Sequence, residues 1–476
     1  MRRLYILLIS LVLAGVAGAQ QYDITFRLEG ATDSVMYIAR HFRDELQSLD
    51  STRRAADGSY RFRGKRQWQR GIYALVGQDR TKAISDFTID GSQRFSITAD
   101  AKLTPSTVKV VGSSANTRMF DYMATLADAR QQIDDIRRRK QDPATRAQAE
   151  ADEKSLFSRM DAYDRQARDP KNATLFTSLI SIFDEPEVPD TIADRARYFR
   201  HHYWDRFFAR SAEPTLAAID GETLRHSPNL FNKVNQFFFG LLYHASPDTI
   251  CMEIDYLADS FDDDTAMLRY VFDFIEPRYF RSTRNIGWDA VWCHLASEYY
   301  LKGRCPWASE ATLHNIRYNY NRLRQSLIGA HGQELWMADT NQSTNPKDWI
   351  SSHRFPNKYV ILWFWDPDCH HCQEQSAELK VLYDSLLTAP YRPFEVYAVG
   401  YEADVEKWKR YVREHDFRWV NVGGTNVNID YQEAYNVHGA PTMIILDEKR
   451  DIIMNKTIPV KYLMQFLADH EKNAKH

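Results

Sequence analysis

Apolar and polar residues alternate from Tyr22 to Val111, and the period changes twice further along the chain. Tyr22, Ile24, Phe26 and Leu28 alternate with polar neighbours. Tyr60 and Phe62 follow the turn pair Asp57-Gly58. Phe87 and Ile89 precede Asp90-Gly91, Phe95 and Ile97 come after it, and Val108 and Val110 close the series. A period of two joined by Asp-Gly turns predicts antiparallel hairpins with one buried face, hence a β-sandwich or open barrel over residues 20–112. From 113 to 323 the spacing is helical. Met119, Tyr122, Leu126, Ala129, Ile133 and Ile136 lie three and four apart, and Asp142-Pro143 breaks the stripe. Ala149, Leu156, Met160, Tyr163 and Ala167 form a second stripe, with Glu153 at the missing position. A helical hairpin over 115–168 follows, either packed on itself or serving as the arm of a homodimer. The Arg137-Arg138-Arg139-Lys140 run is expected to be a solvated helix end that complements the dipole.

From 324 to 476 the texture is α/β. Tyr359 to Trp365 is an unbroken apolar run, as in a strand covered on both faces. Phe394–Val399, Met443–Leu446 and Asp451–Met454 read as further strands. Helices are expected after Cys372, over Val405, Trp408 and Val412, and from Pro459 onward.

Residues 1–19 have the pattern of a leader. Arg2 and Arg3 precede an apolar run from Leu4 to Val16, and Ala17-Gly18-Ala19 suits a signal peptidase. Cleavage would leave a soluble chain in the periplasm or cell envelope. The 476 residues carry 61 Lys plus Arg against 64 Asp plus Glu, a formal charge of −3. That balance argues against a nucleic-acid-binding chain. Five Cys in this length exclude a disulfide-built scaffold. Cys251 and Cys293 sit in apolar helical contexts and read as buried thiols. Cys305 lies in a loop, within reach of a bridge to Cys293 if the fold allows it.

The chemistry concentrates at Cys369-His370-His371-Cys372, between a buried strand and a helix. A spacing of two residues puts both sulfurs on one helical turn. The free N–H groups of a helix N-terminus favour thiolate over thiol. Cys369, nearer the helix end, is expected to attack a substrate disulfide, and Cys372, one turn deeper, to resolve the mixed disulfide.

Trp363-Phe364-Trp365-Asp366-Pro367-Asp368-Cys369-His370-His371-Cys372 resembles the active-site segment of the thioredoxin superfamily, most closely that of exported TlpA/ResA-like thiol-disulfide oxidoreductases. Gly439-Ala440-Pro441-Thr442-Met443-Ile444-Ile445-Leu446-Asp447 resembles the second signature of that family, in which a cis-proline faces the Cys pair; the resemblance gives that role to Pro441. The resemblance runs from about Leu327 to the C-terminus. It implies no cofactor beyond a redox-active Cys369–Cys372 disulfide, protein thiols and disulfides as substrates, and a membrane thiol-relay protein as electron partner. The β-rich and helical regions resemble extensions that precede this domain in some TlpA-like proteins.

The family pattern has a buried Asp six positions before the first Cys, and this chain has Trp363 there. Glu374 and Glu378, on the helix just after Cys372, are conceivable substitutes, and both read as solvated. His370 and His371 are expected to tune the pair by stabilising the thiolate, with Asp366 and Asp368 acting against them. The competing reading is a partner-binding or copper-handling protein of the same fold without oxidoreductase turnover, with His438 as a further ligand. Its single Cys pair has no second ligand cluster, and no resident metal is expected.

Overall fold

The computed structural model describes residues 21–473 except 170, 172, 173, 209–218, 262, 263, 283, 284, 402 and 403. The leader expected over residues 1–19 therefore lies outside the described residues. Among the described residues no helix is long and apolar enough to cross a membrane. The chain divides into two compact units, one ending at Tyr243 and the other beginning at His244.

The first unit opens with β1 (Tyr22–Glu29), β2 (Val35–Phe42), β3 (Glu45–Arg53), β4 (Tyr60–Gly64), β5 (Gly71–Val76), β6 (Ala83–Ile89), β7 (Arg94–Asp100) and β8 (Lys109–Val111). They form two four-stranded sheets, in the orders β4-β1-β7-β8 and β3-β2-β5-β6. Ile24, Phe26 and Ile97 of one sheet share a core with Ile38, Leu75 and Phe87 of the other, so the architecture is a sandwich. The connections differ in part from the expected hairpins, although Asp57-Gly58 does close a short antiparallel turn in which Arg54 is bridged to Tyr60. Asp57-Gly58 joins β3 to β4 and Asp90-Gly91 joins β6 to β7, and each pair lies in different sheets. Both Asp-Gly turns therefore carry the chain between layers, and β1 pairs with β7 in parallel. Alternation reports which face of a strand is buried and says nothing about which strand lies beside it.

Two long helices follow, α1 (Ser114–Lys140) and α2 (Arg146–Arg168). Asn116 anchors α1 to the edge strand β6. Its Oδ1 accepts from the Thr88 N–H at 2.7 Å and its Nδ2 donates to the Thr88 carbonyl at 2.8 Å, continuing the ladder past the last strand. The two helices pack on each other through Ala129, Ile136, Ala149 and Leu156. The basic run divides by side. Arg137 and Arg138 face solvent, whereas Arg139 pairs with Asp152 at 2.7 Å and Lys140 with Glu153. The charged residue that interrupts the second stripe is thus a cross-helix partner. Short helices α3 (Leu175–Ile182), α4 (Arg195–His202), α5 (Gly221–Arg225) and α6 (Pro228–Gln236) complete the unit. His202 lies 2.6 Å from Asp205, and Tyr203, Trp204 and Phe237 pack as an aromatic cluster beside it.

The second unit begins with α7 (Pro247–Ser260), α8 (Thr265–Arg281), α9 (Trp288–Leu295) and α10 (Glu310–Leu323). Its sheet region contains β9 (Trp336–Asp339), β10 (Ile350–Ser351), β11 (Tyr359–Trp365), α11 (His370–Leu386), β12 (Phe394–Gly400), α12 (Val405–Glu414), β13 (Val420–Val427), α13 (Tyr431–Ala434), β14 (Thr442–Leu446), β15 (Ile452–Met454) and α14 (Leu463–Asn473). The seven strands are ordered β10-β9-β13-β12-β11-β14-β15. β11, β12 and β13 are parallel, and β14 runs antiparallel to β11. β11 is apolar throughout because both its faces are covered. Tyr359, Ile361, Trp363 and Trp365 enter the core beneath α11, α12 and α14, while Val360, Leu362 and Phe364 enter the core on the opposite face.

Cys251, Cys293 and Cys305 are free thiols, with no Cys293–Cys305 bridge. Burial pushes each of them up to about 12, and neighbouring acidic groups add to the effect. They are therefore neutral thiols at pH 7, inert beside an activated Cys.

Candidate functional site

The site is built where β11 ends and α11 begins. The Asp366 Oδ1 accepts from the Asp368 N–H at 2.8 Å, and the Asp366 carbonyl accepts from the Cys369 N–H at 3.1 Å. These two bonds close a tight turn that delivers Cys369 to the N-cap of α11. An N-cap side chain accepts an orphan N–H of the first turn, a task usually done by Ser, Thr, Asp or Asn. Here sulfur does it: the Cys372 N–H donates to Cys369 Sγ at 3.3 Å. A thiolate accepts such a bond more strongly than a thiol, because the acceptor then carries charge. The N-terminal end of α11 therefore aims a backbone donor at Cys369 Sγ.

The two cysteines are inequivalent. Cys369 is half-buried, and Cys372 is fully buried in the core beneath the helix. Burial pushes the Cys372 thiol up. The hydrogen bond to Cys369 and the charges of Cys369 and Asp366 push it further, against the backbone N–H of Asp366. Cys372 is held as a protonated thiol beneath an accessible sulfur.

Pro441 comes from the other side. The β11–β14 register pairs Trp363 with Met443 and Phe364 with Thr442, which brings the residues just before Thr442 to the end of β11. The Ala440–Pro441 peptide bond is cis. Cys369 Sγ lies 3.7 Å from the Ala440 carbonyl, so the three residues singled out in the sequence meet at one point.

The imidazoles are on the outside. The side chains of His370 and His371 are 85% and 66% exposed, and both reach one carboxylate: Glu374 lies 3.2 Å from His370 and 3.5 Å from His371. Glu374 therefore balances any charge the imidazoles carry. Asp368 is drawn into an ion pair with Lys407 of α12, so only part of its charge opposes a thiolate. Sequence reading missed Lys407. It has no spacing relation to the motif and arrives only because α12 follows the strand parallel to β11.

At Trp363 the indole N–H donates to Ser376 Oγ at 3.0 Å, and both residues are fully buried. That position holds no titratable side chain. Asp366 is the carboxylate whose charge reaches Cys372. His438 bonds Asn436 at 2.8 Å. Among the described residues, no three His, Cys, Asp or Glu side chains gather as a metal site.

Residues 357–452 match the family described as Thioredoxin-like. The C-terminal domain is thioredoxin-like. Residues 162–326 match a family described as a domain of unknown function, DUF5106. No curated protein matches the chain. Among solved structures, the chain is similar to a thioredoxin-like protein from Bacteroides caccae, with 16% identity over 60% of this chain and 98% of that one and a TM-score of 0.45. The chain is also similar to the domain of a "possible thiol-disulfide isomerase" from Cytophaga hutchinsonii, with 30% identity over 31% of this chain and 96% of that one and a TM-score of 0.27. It is also similar to the thioredoxin domain of a thiol-disulfide oxidoreductase from Bacteroides vulgatus, with 20% identity over 29% of this chain and 96% of that one and a TM-score of 0.24.

Proposed function

We propose that the protein catalyses thiol-disulfide exchange on exported protein substrates, as a reductase or isomerase of the TlpA/ResA-like kind. The observation that carries the reading is the Cys372 N–H bonded to Cys369 Sγ, with Cys372 itself buried. The Cys369 thiolate attacks one sulfur of a substrate disulfide. A Cys369–substrate disulfide forms, the substrate S–S bond breaks, and the other substrate sulfur leaves as a thiolate. Cys372 then loses its proton and attacks Cys369 Sγ, which releases the second substrate sulfur and leaves a Cys369–Cys372 disulfide. Two electrons have passed to the substrate, so turnover requires a dithiol donor, and a membrane thiol-relay protein fits that need. Pro441 lies beside the attacking sulfur and presents the substrate segment to it. Trapping substrates as mixed disulfides on a Cys372→Ser variant tests the reading.

Export rests on the leader pattern of residues 1–19. Mass spectrometry of the periplasmic protein is expected to show Gln20, free or cyclised, at the N-terminus, and intact Met1 would contradict export.

His371 has a modest tuning role on this reading. It occupies the second position of α11, where Pro is tolerated, and the Cys372 N–H that bonds Cys369 is untouched by the change. His371→Pro is expected to make the couple more reducing by on the order of 20 mV or less, because an exposed polar contact already shared with Glu374 is worth about 1 kcal/mol or less. Equilibration with glutathione buffers measures it. A shift toward oxidising potentials would remove His371 from the account.

A further inference from the structure

The first unit holds a cavity of about 320 Å³ that thiol exchange does not use. Its walls come from β2, the β4–β5 connection, the start of β5 and α5. Three guanidinium groups, those of Arg40, Arg66 and Arg70, line it against the single carboxylate of Glu222. Arg70 is satisfied from outside the lining by Asp90 at 2.8 Å. Glu222 is shared among Arg40 at 3.7 Å, Arg225 at 2.9 Å and His226 at 3.2 Å. Burial opposes ionisation of Glu222, yet the hydrogen bond from Arg225 and the charges of the neighbouring arginines hold its carboxyl below the usual range. Arg66 has no carboxylate partner among the described residues; its guanidinium lies 5.5 Å from the Trp68 ring centroid. The cavity therefore carries a positive surplus in a concave wall, where fields are focused and oxyanions are concentrated.

The wall is fixed in advance. The Trp68 N–H donates to Gln93 at 3.0 Å, and the Trp68 carbonyl accepts from the same amide at 2.9 Å. The Trp68 indole is wedged edge-on between Tyr22 and Tyr73, at 5.4 and 5.2 Å. Arg66 and Arg70 flank this anchored residue, two positions to either side. Arg40 lies opposite Tyr73 in the β2–β5 register. The Thr223 hydroxyl donates to the Arg70 carbonyl at 3.0 Å and ties α5 to the same segment. A ligand entering here would not have to order the chain, a cost that otherwise weakens binding.

We propose that this cavity binds a small organic oxyanion, a carboxylate- or phosphate-bearing molecule about the size of one sugar ring. The volume lies at the low end for small-molecule sites, and planar guanidinium groups match carboxylate and phosphate in a fork-like geometry. The site is independent of the redox reading and sits in the other unit.

Isothermal titration of the full chain at low ionic strength tests it, with citrate, glucose 6-phosphate and uncharged glucose as probes. Citrate or glucose 6-phosphate is expected to bind, and glucose is not. Arg66→Glu should weaken the binding about tenfold or more, and Arg66→Lys, which keeps the charge but loses the fork, should weaken it less than Arg66→Glu does. Both variants should retain the wild-type rate of insulin reduction and the wild-type circular dichroism. Should Arg66→Glu lose its fold, Arg66→Gln replaces it, with a severalfold loss expected. The proposal is overturned if neither anion binds, if glucose matches glucose 6-phosphate, or if Arg66→Glu and Arg66→Gln leave the affinity unchanged.

Discussion

A Cys369→Ser variant is expected to lose disulfide reductase turnover by roughly 10³-fold or more, the scale that follows removal of an enzymatic nucleophile. Cys372→Ser should lose turnover to a similar extent for a different reason. It keeps the attacking sulfur at the helix N-cap, so it should accumulate disulfide-linked adducts on non-reducing gels, whereas Cys369→Ser should not. The asymmetry follows from the geometry: one sulfur accepts the 3.3 Å N–H bond and is half-exposed, and the other is fully buried. It also gives a pH dependence. Burial pushes the Cys372 thiol up to about 12, so its protonated form dominates at pH 7, and below that value its thiolate fraction rises about tenfold with each pH unit. Resolution of a preformed mixed disulfide in the wild type should therefore accelerate steadily from pH 7 through pH 9. Equal trapping by both single variants would reverse the assignment of roles.

The second large effect concerns Trp363. The family that the motif resembles has a buried Asp at this place, and Trp363→Asp restores it on paper. In this chain it should unfold the domain. The indole is fully buried among Ile361, Leu379 and Met443, and its N–H is used by Ser376. Removing a buried Trp side chain costs about 3–5 kcal/mol, and burying a carboxylate in its place adds to that. Against a typical domain stability of about 5–15 kcal/mol, little or nothing remains. Trp363→Phe keeps most of the volume and should cost only about 1–2 kcal/mol. Urea denaturation followed by circular dichroism separates the cases. A Trp363→Asp protein with the wild-type midpoint would show that the position is not a packed core site and would reopen it as a place for a proton carrier.

The sequence announced the redox motif because its logic is local. A seven-residue apolar strand, two cysteines three positions apart and a helical stripe after them need no tertiary information, and the strand and helix lie where the pattern put them. Pro441 could be placed only through the resemblance, since nothing in residues 439–447 says which strand they meet; the β11–β14 register supplies that. Lys407 was illegible as part of the site, and Glu374 was legible only as a conceivable proton carrier, not as the partner of both imidazoles. One is brought in by a parallel crossover, and the other looked like an ordinary solvated helix residue until its distance to both imidazoles was known. β13 escaped notice because Gly423 and Gly424 dilute its pattern, and β10 because two residues leave none. In the sandwich, alternation fixed the buried faces of β1, β4 and β7 but could not reveal that the Asp-Gly turns cross between sheets.

The central claim is that Cys369 and Cys372 form a reversible two-electron couple. Equilibrating the full-length protein with reduced and oxidised glutathione, followed by acid quench, thiol alkylation and peptide mass spectrometry, measures it directly. The account predicts one transition between dithiol and a Cys369–Cys372 disulfide, with a midpoint between about −270 and −120 mV, and no response from Cys251, Cys293 or Cys305. A pair that stays as free thiols throughout the titration, or that forms only separate glutathione adducts, would contradict it.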